Sequence, residues 1–257
     1  ALRIEYDEEP AAATVTSAGA TEAEPRALGK PSIGTGDADA AFATAPVKVD
    51  CWYETPAQHH NPMELFQTTC AWEDNRLTVW ESTQNVRGMQ HGLAAQLGVR
   101  ASHVRILSPF IGGAFGSRGE LGQHTALIAH AARRLGRPVK LVTTRQQGFS
   151  LRTFRAETRH HVKLAAERDG RLVAMVHDGW ELTSRTERFA LAGSDQTARL
   201  YACPNVSTAT RVIEADRHTP GFMRAPPEVP YLFALESAMD ELAEALAIDP
   251  LDLRRRN

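Results

Sequence analysis

Apolar side chains recur along much of this chain at every second position, the signature of half-buried strands. That alternation predicts strands at Val47–Tyr53, Phe66–Trp72, Leu77–Glu81, Val104–Leu107, Val139–Thr143 and Val206–Ala215. Asp74-Asn75 is a turn signal, so the second and third of these are expected to pair antiparallel, with His59–Glu64 at one end and Ser82–Gln84 at the other. Thr158–Ala166 and Leu172–Trp180 flank Arg168-Asp169-Gly170 and predict a hairpin. Helical spacing appears over Val86–Leu97, with Gly98 as C-cap, and over Thr125–Leu135. It is clearest over Tyr231–Leu246, where Leu232, Leu235, Met239, Leu242 and Leu246 share one stripe. Pro226, Pro227 and Pro230 are expected to break any regular element ahead of it, and the basic Leu253–Arg256 suits the end of a last helix. Leu191–Tyr201 is polar and ambiguous. The pattern as a whole predicts an α+β fold, with mixed sheets and packed helices.

The first 46 residues differ in kind. Leu2–Tyr6 alternates as a strand would, but Ala11–Pro46 is rich in Ala, Thr, Glu, Gly and Pro and almost lacks large apolar side chains. Such a segment buries too little surface to offset its ordering entropy, so it is expected to be a linker or a long surface crossing. The expected organisation is therefore the end of a preceding domain and a linker over residues 1–46, then one domain over 47–257.

Composition narrows the functional classes. Of 257 residues, 42% are hydrophobic and 23% charged, and the net charge is −2. Neither nucleic acid nor an anionic membrane has an electrostatic claim on such a chain. No apolar run is long enough for a membrane-spanning helix, and the N-terminus lacks the basic-then-apolar order of a signal peptide. Cys51, Cys70 and Cys203 are widely separated, without a C-x-x-C pair, which argues against an iron–sulfur or zinc site here. The His59-His60 and His160-His161 pairs, read as strand residues, point to opposite faces and cannot easily share an ion.

One stretch concentrates the chemistry. The strand ending at Leu107 runs into Ser108-Pro-Phe-Ile-Gly-Gly-Ala-Phe-Gly-Ser-Arg118, with Gly112, Gly113 and Gly116 close together. Glycine permits positive φ and lets backbone N–H groups approach a ligand, so a phosphate-bearing ligand is a natural reading. The spacing is neither G-x-G-x-x-G nor G-x-x-x-x-G-K-[ST], and a tight turn at a crowded position is equally open on the glycines alone. Gln84 follows a strand and offers both a donor and an acceptor, either to a ligand or to loop backbone. Arg224 stands in a loop stiffened by two prolines. It suits a carboxylate or developing negative charge, or else lies on the surface against Phe222 or Glu228.

Four motifs in order settle between such alternatives. Gly112–Gly119 (GGAFGSRG) resembles the G-G-x-F-G-x-[KR] loop of the molybdenum hydroxylases, the xanthine dehydrogenase and aldehyde oxidoreductase family. His59–Phe66 (HHNPMELF), Glu81–Gln84 (ESTQ) and Gly221–Ala243 match it too, closest to the three-subunit bacterial aldehyde-oxidising branch. The resemblance implies a molybdopterin-binding fold of that type and a reaction that hydroxylates aldehydes to carboxylic acids with water as oxygen source. Gly112, Gly113, Ala114, Phe115 and Gly116 would lie against the cofactor, the glycine amides facing it and Phe115 beside the molybdenum ligands. Gln84 would hydrogen-bond the oxo ligand, and Arg224 would sit near molybdenum and the substrate oxygen. Glu64, between apolar residues, is expected to be structural and to need a charge partner.

The same resemblance implies molybdopterin in its cytosine dinucleotide form, with iron–sulfur clusters and FAD on partner subunits. It also implies a bacterial assembly in the cytoplasm, or in the periplasm after export with a partner. Purine-oxidising members carry a glutamate directly after the basic residue of the loop. Here that position is Gly119, with Glu120 one further on, which favours aldehydes. The family's catalytic glutamate lies in a later motif, so this chain is expected to be the first part of the subunit and inactive alone. Two alternatives remain: an N-heterocycle hydroxylase of isoquinoline or xanthine type, and a non-catalytic module that has lost the cofactor.

Overall fold

A computed structural model describes residues 3–24 and 32–257. Its contacts divide the chain into two compact units. The first comprises Ala1–Ala57, Ala156–Pro220 and Ala225–Asn257; the second comprises Gln58–Arg155 and the four residues Gly221–Arg224.

In the first unit a six-stranded mixed sheet runs in the order β1 (Thr21–Ala23), β10 (Val206–Ala215), β9 (Leu172–Ser184), β8 (Thr158–Ala166), β3 (Val47–Thr55), with β2 (Ser32–Thr35) also on β10. β9 and β10 are parallel, while β8 pairs antiparallel with both β9 and β3. The predicted hairpin forms, and the helix α6 (Glu228–Leu246) lies over one sheet face. Leu235, Ala238, Met239 and Leu242 of α6 pack on Val162, Leu164, Leu172, Met175 and Val206. The last helix, α7 (Pro250–Arg256), adds Leu253 to this core. The ambiguous polar stretch contains α5 (Ser194–Leu200).

Three expectations fail here for physical reasons. α6 begins at Glu228, so Pro230 lies inside it rather than breaking it. It occupies the first turn, where a missing N–H costs nothing. The segment read as a linker holds β1, β2 and the helix α1 (Ala38–Thr44). Its two strands join β10 through backbone bonds, which need no large side chains, and Ala41, Phe42 and Ala45 pack on Ala165 and Ala174. Residues 25–31 of that segment lie outside the described residues. The alternation at Leu2–Tyr6 gives no strand over residues 3–6, which are exposed and unpaired with any ladder; Leu2 lies outside the described residues.

The second unit is a four-stranded sheet in the order β6 (Val104–Leu107), β5 (Arg76–Trp80), β4 (Gln67–Glu73), β7 (Val139–Val142), with the single-turn helix α4 (Arg145–Gly148) following β7. Asp74 and Asn75 make the β4–β5 turn with φ of 44° and 63°, the left-handed pair that a tight hairpin requires. β5 and β6 are parallel, joined through α2 (Val86–Leu97). α2 ends on Gly98 as predicted, and with α3 (Gln123–Leu135) it buries Met89, Leu93, Ala129 and Ala132 on Leu77, Val79, Val104 and Ile106. Both units are therefore mixed sheets with helices packed on them.

Candidate functional site

The topology of the second unit explains where its motifs meet. Parallel neighbours deliver their following loops to the same sheet edge, and ligands of such sheets bind outside the carboxyl ends of the strands. β5 leads into Glu81–Gln84 and β6 leads into Ser108–Arg118, with Trp80 and Leu107 in register. Glu81 N–H donates to Leu107 O at 3.2 Å, and Thr83 N–H to Ser108 Oγ at 3.0 Å. Gln84 N–H and Thr83 Oγ1–H both donate to Arg118 O, at 2.9 and 3.1 Å. The two loops are thus stitched together along their length.

Gln84 has a divided side chain. Its Oε1 accepts from Gly116 N–H at 3.0 Å, so the carboxamide oxygen holds the glycine loop. The NH₂ half makes no bond to a described residue and stands at an exposed position. The loop-backbone role and the ligand role therefore coexist in one side chain: one atom positions and the other is left to donate.

Within the loop, Gly113, Phe115 and Gly116 have φ of 96°, 56° and 112°. Gly116 is the position where only glycine fits, since a Cβ there would lie 2.2 Å from Phe222 O. The expectation that all the glycine amides face a ligand needs correction. Gly112 N–H donates to Glu64 Oε2 at 2.8 Å and Gly116 N–H to Gln84, so those two are spent inside the protein. Within Gly112–Gly116 the amides of Gly113, Ala114 and Phe115 have no bonded partner among the described residues, and neither do those of Phe110, Ile111 and Arg118 on either side. Consecutive N–H groups freed by a left-handed kink form the kind of nest that takes an anionic oxygen. Phe115 is 47% exposed, an apolar ring standing beside them.

Gly221–Arg224 completes this unit. Arg224 N–H donates to Phe115 O at 2.9 Å, and Arg224 O accepts from Arg155 Nη2 at 2.6 Å. His60 Nε2–H donates to Phe222 O at 2.7 Å, which assigns His60 to holding this segment. Burial, foremost, pulls the His60 pKa down, so it serves as a neutral donor. The Arg224 side chain is exposed and makes no hydrogen bond or ion pair with a described residue. Gln84, Gly112, Gly113, Ala114, Phe115, Gly116 and Arg224 thus belong to one compact unit around one loop.

Two charge pairs built on buried guanidinium groups support that loop, and the sequence did not single them out as pairs. Glu64 is not enclosed by apolar groups, as expected, but by polar ones. It accepts from Ser82 Oγ at 2.7 Å and from Gly112 N–H, and Arg118 Nη2 stands 3.3 Å away. Burial alone would raise its pKa, but these donors outweigh that and hold it below the usual carboxylate range. Arg152 pairs with Glu81 at 3.3 Å, and Thr125 Oγ1–H donates to the same carboxylate at 2.8 Å. Both guanidinium groups stack on Phe66, at 4.7 Å for Arg118 and 4.5 Å for Arg152. The signal available in the sequence was the acidic residue in each flanking motif, Glu64 in HHNPMELF and Glu81 in ESTQ. His59 and His60 lie off any strand, so the expected strand alternation does not apply to them, while His160 is buried and His161 faces Asp50; among the described residues no group of three or more His, Cys, Asp or Glu is placed to hold a metal ion. A small open pocket beside His60, Arg145 and Phe149 includes neither Gln84 nor the glycine loop in its lining.

The glycine loop and Gln84 thus lie together beyond the carboxyl ends of the parallel strands β5 and β6, with Arg224 bonded to the loop through Phe115 O. The chain belongs to the molybdopterin cofactor-binding domain family, which residues 21–257 match. Over 229 residues it is 39% identical to the aldehyde oxidoreductase molybdenum-binding subunit PaoC of Escherichia coli K12, covering 88% of this chain and 31% of that protein. The xanthine dehydrogenase molybdenum-binding subunit of Escherichia coli O157:H7 is 28% identical, across 100% of this chain and 35% of that one. Among solved structures, the aldehyde oxidoreductase of Desulfovibrio gigas superposes with a TM-score of 0.84 at 26% identity, over 99% of this chain and 29% of that chain. The chain spans about a third of the length of these relatives. They are enzymes of the molybdenum hydroxylase family, as the sequence resemblance implied, and the mixed-sheet fold is theirs. No helix among the described residues is long and apolar enough to cross a membrane.

Proposed function

We propose that this chain forms the first cofactor-holding part of a bacterial aldehyde oxidoreductase and binds molybdopterin as the cytosine dinucleotide. On this reading, electrons leave through iron–sulfur clusters and FAD on partner subunits, and the rest of the molybdenum subunit supplies the catalytic glutamate. The observation that carries the proposal is the joining of three parts around one loop: the unbonded Gly113–Phe115 amides, Gln84 held to Gly116 through its side-chain oxygen, and Arg224 held to Phe115 O through its backbone N–H. The residues fit the cofactor because three consecutive N–H groups at the left-handed kink are open to an anion, while the Gly112 and Gly116 amides that flank them are spent inside the protein.

When bound, the molybdenum centre supplies two-electron redox chemistry. This chain's residues bind and orient. The three amides take anionic oxygens of the pterin, and the Gln84 NH₂ donates a hydrogen bond while its oxygen keeps the loop in place. The Arg224 guanidinium stabilises negative charge growing on the substrate oxygen, an effect worth more in the transition state than in the ground state. Phe115 and Phe222 give the mouth of the site an apolar rim for a small aldehyde. Gly119 supports aldehydes over purines, because no carboxylate follows Arg118 directly to bind a heterocycle edge.

The test is metal and cofactor analysis of the full subunit with its partners, followed by aldehydes and heteroarenes assayed side by side. Stoichiometric molybdopterin with aldehyde turnover is expected. Preference for xanthine or isoquinoline would instead favour the heterocycle reading, which the likeness to a xanthine dehydrogenase subunit keeps in view. Absence of bound molybdopterin would indicate a module that has lost its cofactor.

A further inference from the structure

The bonds around Gly112 and Gly113 come from two sides. From one side, Glu64 grips the Gly112 residue at both of its backbone polar atoms. Glu64 N–H donates to Gly112 O at 3.0 Å, and Gly112 N–H donates to Glu64 Oε2. From the other side, Arg118 Nε donates to Gly113 O at 3.0 Å. The two side chains are themselves an ion pair, and Arg118 Nη2 also donates to Glu64 O at 2.9 Å. Ser82 locks the free carboxylate oxygen, donating to Glu64 Oε1 while also reaching Phe110 O at 3.1 Å. The result is a closed ring of charge and backbone that holds the carbonyls of the two peptides whose N–H groups are the unbonded Gly113 and Ala114 amides.

A structural role alone does not account for this arrangement. Arg118 is only 1% exposed, and its Nη1 has no hydrogen-bond partner. A buried guanidinium with an unsatisfied nitrogen is an expensive way to close a turn, since apolar replacements for buried ion pairs are commonly neutral or stabilising. What an apolar pair cannot do is fix the direction of a peptide plane. Gly113 has φ of 96° and sits where glycine has the widest choice of conformation, so something else must select one.

We propose that Glu64 and Arg118 are positioning residues: their ion pair clamps the Gly112–Gly113 peptide and so holds the Gly113–Phe115 amides in the one orientation that receives an anionic oxygen of the cofactor. The clamp rests on the molybdopterin-binding reading for its ligand, but not for its geometry. It touches no substrate and acts entirely through the loop backbone. A conservative change should therefore loosen the loop before it loosens the fold.

The experiment uses the full subunit in its assembly, with Glu64→Gln and Arg118→Lys. Glu64→Gln keeps size and one acceptor but removes the charge. Arg118→Lys keeps the charge but cannot serve Gly113 O and Glu64 O together through a planar fork. Hydrogen exchange is read on the loop's bonded Gly112 and Gly116 amides in cofactor-free protein, because unbonded amides exchange fast in any variant, and the molybdopterin release rate is read on loaded protein. The clamp predicts a rise of about tenfold or more in exchange at the loop, with exchange in β5 and α3 unchanged. It predicts a similar rise in release rate, larger in Glu64→Gln than in Arg118→Lys. Wild-type exchange at the loop in both variants would overturn the proposal. So would a rise spread evenly through β4, β5 and α3, because that is what a purely structural pair produces. A wild-type assembly that carries no molybdopterin would sink the functional reading alone, leaving loop exchange to decide the clamp.

Discussion

Replacing Gly116 with alanine isolates the closest backbone approach in the site. The new Cβ would stand 2.2 Å from Phe222 O and 2.8 Å from Phe222 C, with Met223 Cα at 3.1 Å. All three are backbone atoms, so no flexible side chain can step aside. The position also has φ of 112°, a region that costs an L-residue about 1–3 kcal/mol. Forcing the two segments apart adds about 1–3 kcal/mol, the usual range for overpacking. Gly98 provides the control. Its φ is 64° but nothing lies within 4 Å of a Cβ built there, so Gly98→Ala bears only the left-handed strain of about 1–2 kcal/mol. With a urea slope of about 2 kcal/mol per M, Gly116→Ala should lower the midpoint by about 1–3 M and Gly98→Ala by about 0.5–1 M. Urea-dependent hydrogen exchange of β5, inside the second unit, is the readout. A shift for Gly116→Ala no larger than that for Gly98→Ala would refute the close packing of this loop on Phe222 and Met223.

Further outcomes separate binding from scaffold. Arg224→Ala in the full enzyme should lower kcat/KM for aldehydes by about 10²–10³, as loss of one transition-state donor does elsewhere, with molybdenum content nearly unchanged; steady-state kinetics per bound molybdenum decide. Gln84→Glu keeps an acceptor for Gly116 N–H but deletes the NH₂ donor, so thermal midpoint should hold while kcat falls. In the first unit, Tyr231→Phe leaves Glu181 and Thr210 short of a buried hydrogen bond and should cost about 1–3 kcal/mol in denaturant titration. His160 and His177 are buried neutral with pKa values pulled down by desolvation, His177 to about 3. The unfolded chain therefore binds more protons below its own pKa near 6.5, and stability is complete above that pH and lost as pH falls from about 6.5 towards 3. Replacing both with phenylalanine should flatten that part of the pH–stability curve.

Much of this was legible because the strands alternate cleanly and their turns carry strong signals. Asp74-Asn75 and Arg168-Asp169-Gly170 fix two hairpins locally, and Gly98 closes α2 at the predicted residue. What escaped was whatever depends on distant partners. β1 and β2 exist because β10 offers them backbone bonds, and no local alternation announces a strand three or four residues long. Pro230 misled because a proline that ends a helix and one that starts a helix look alike until the first turn is located. At the site, the motifs identified the loop and Gln84, but not which amides remain free. That required Glu64, whose contact with Gly112 spans 48 residues of sequence. Arg155 carries no pattern of its own, and His60, although inside HHNPMELF, gives no local sign that its partner is Phe222.

That short segment also sets a clock. His60 must wait for Phe222, 162 residues later, before its ring has the carbonyl it holds. Phe115 O likewise meets no donor until Arg224 has been made. At about 5–20 residues per second, a ribosome needs roughly 8–30 s to cover the interval between His60 and Phe222. For about the last two-thirds of that time, once Gly116 has been made, the glycine loop exists without one of its walls. A nascent chain therefore has no finished berth for a large anionic passenger, and loading belongs to the period after this stretch of the polypeptide has emerged.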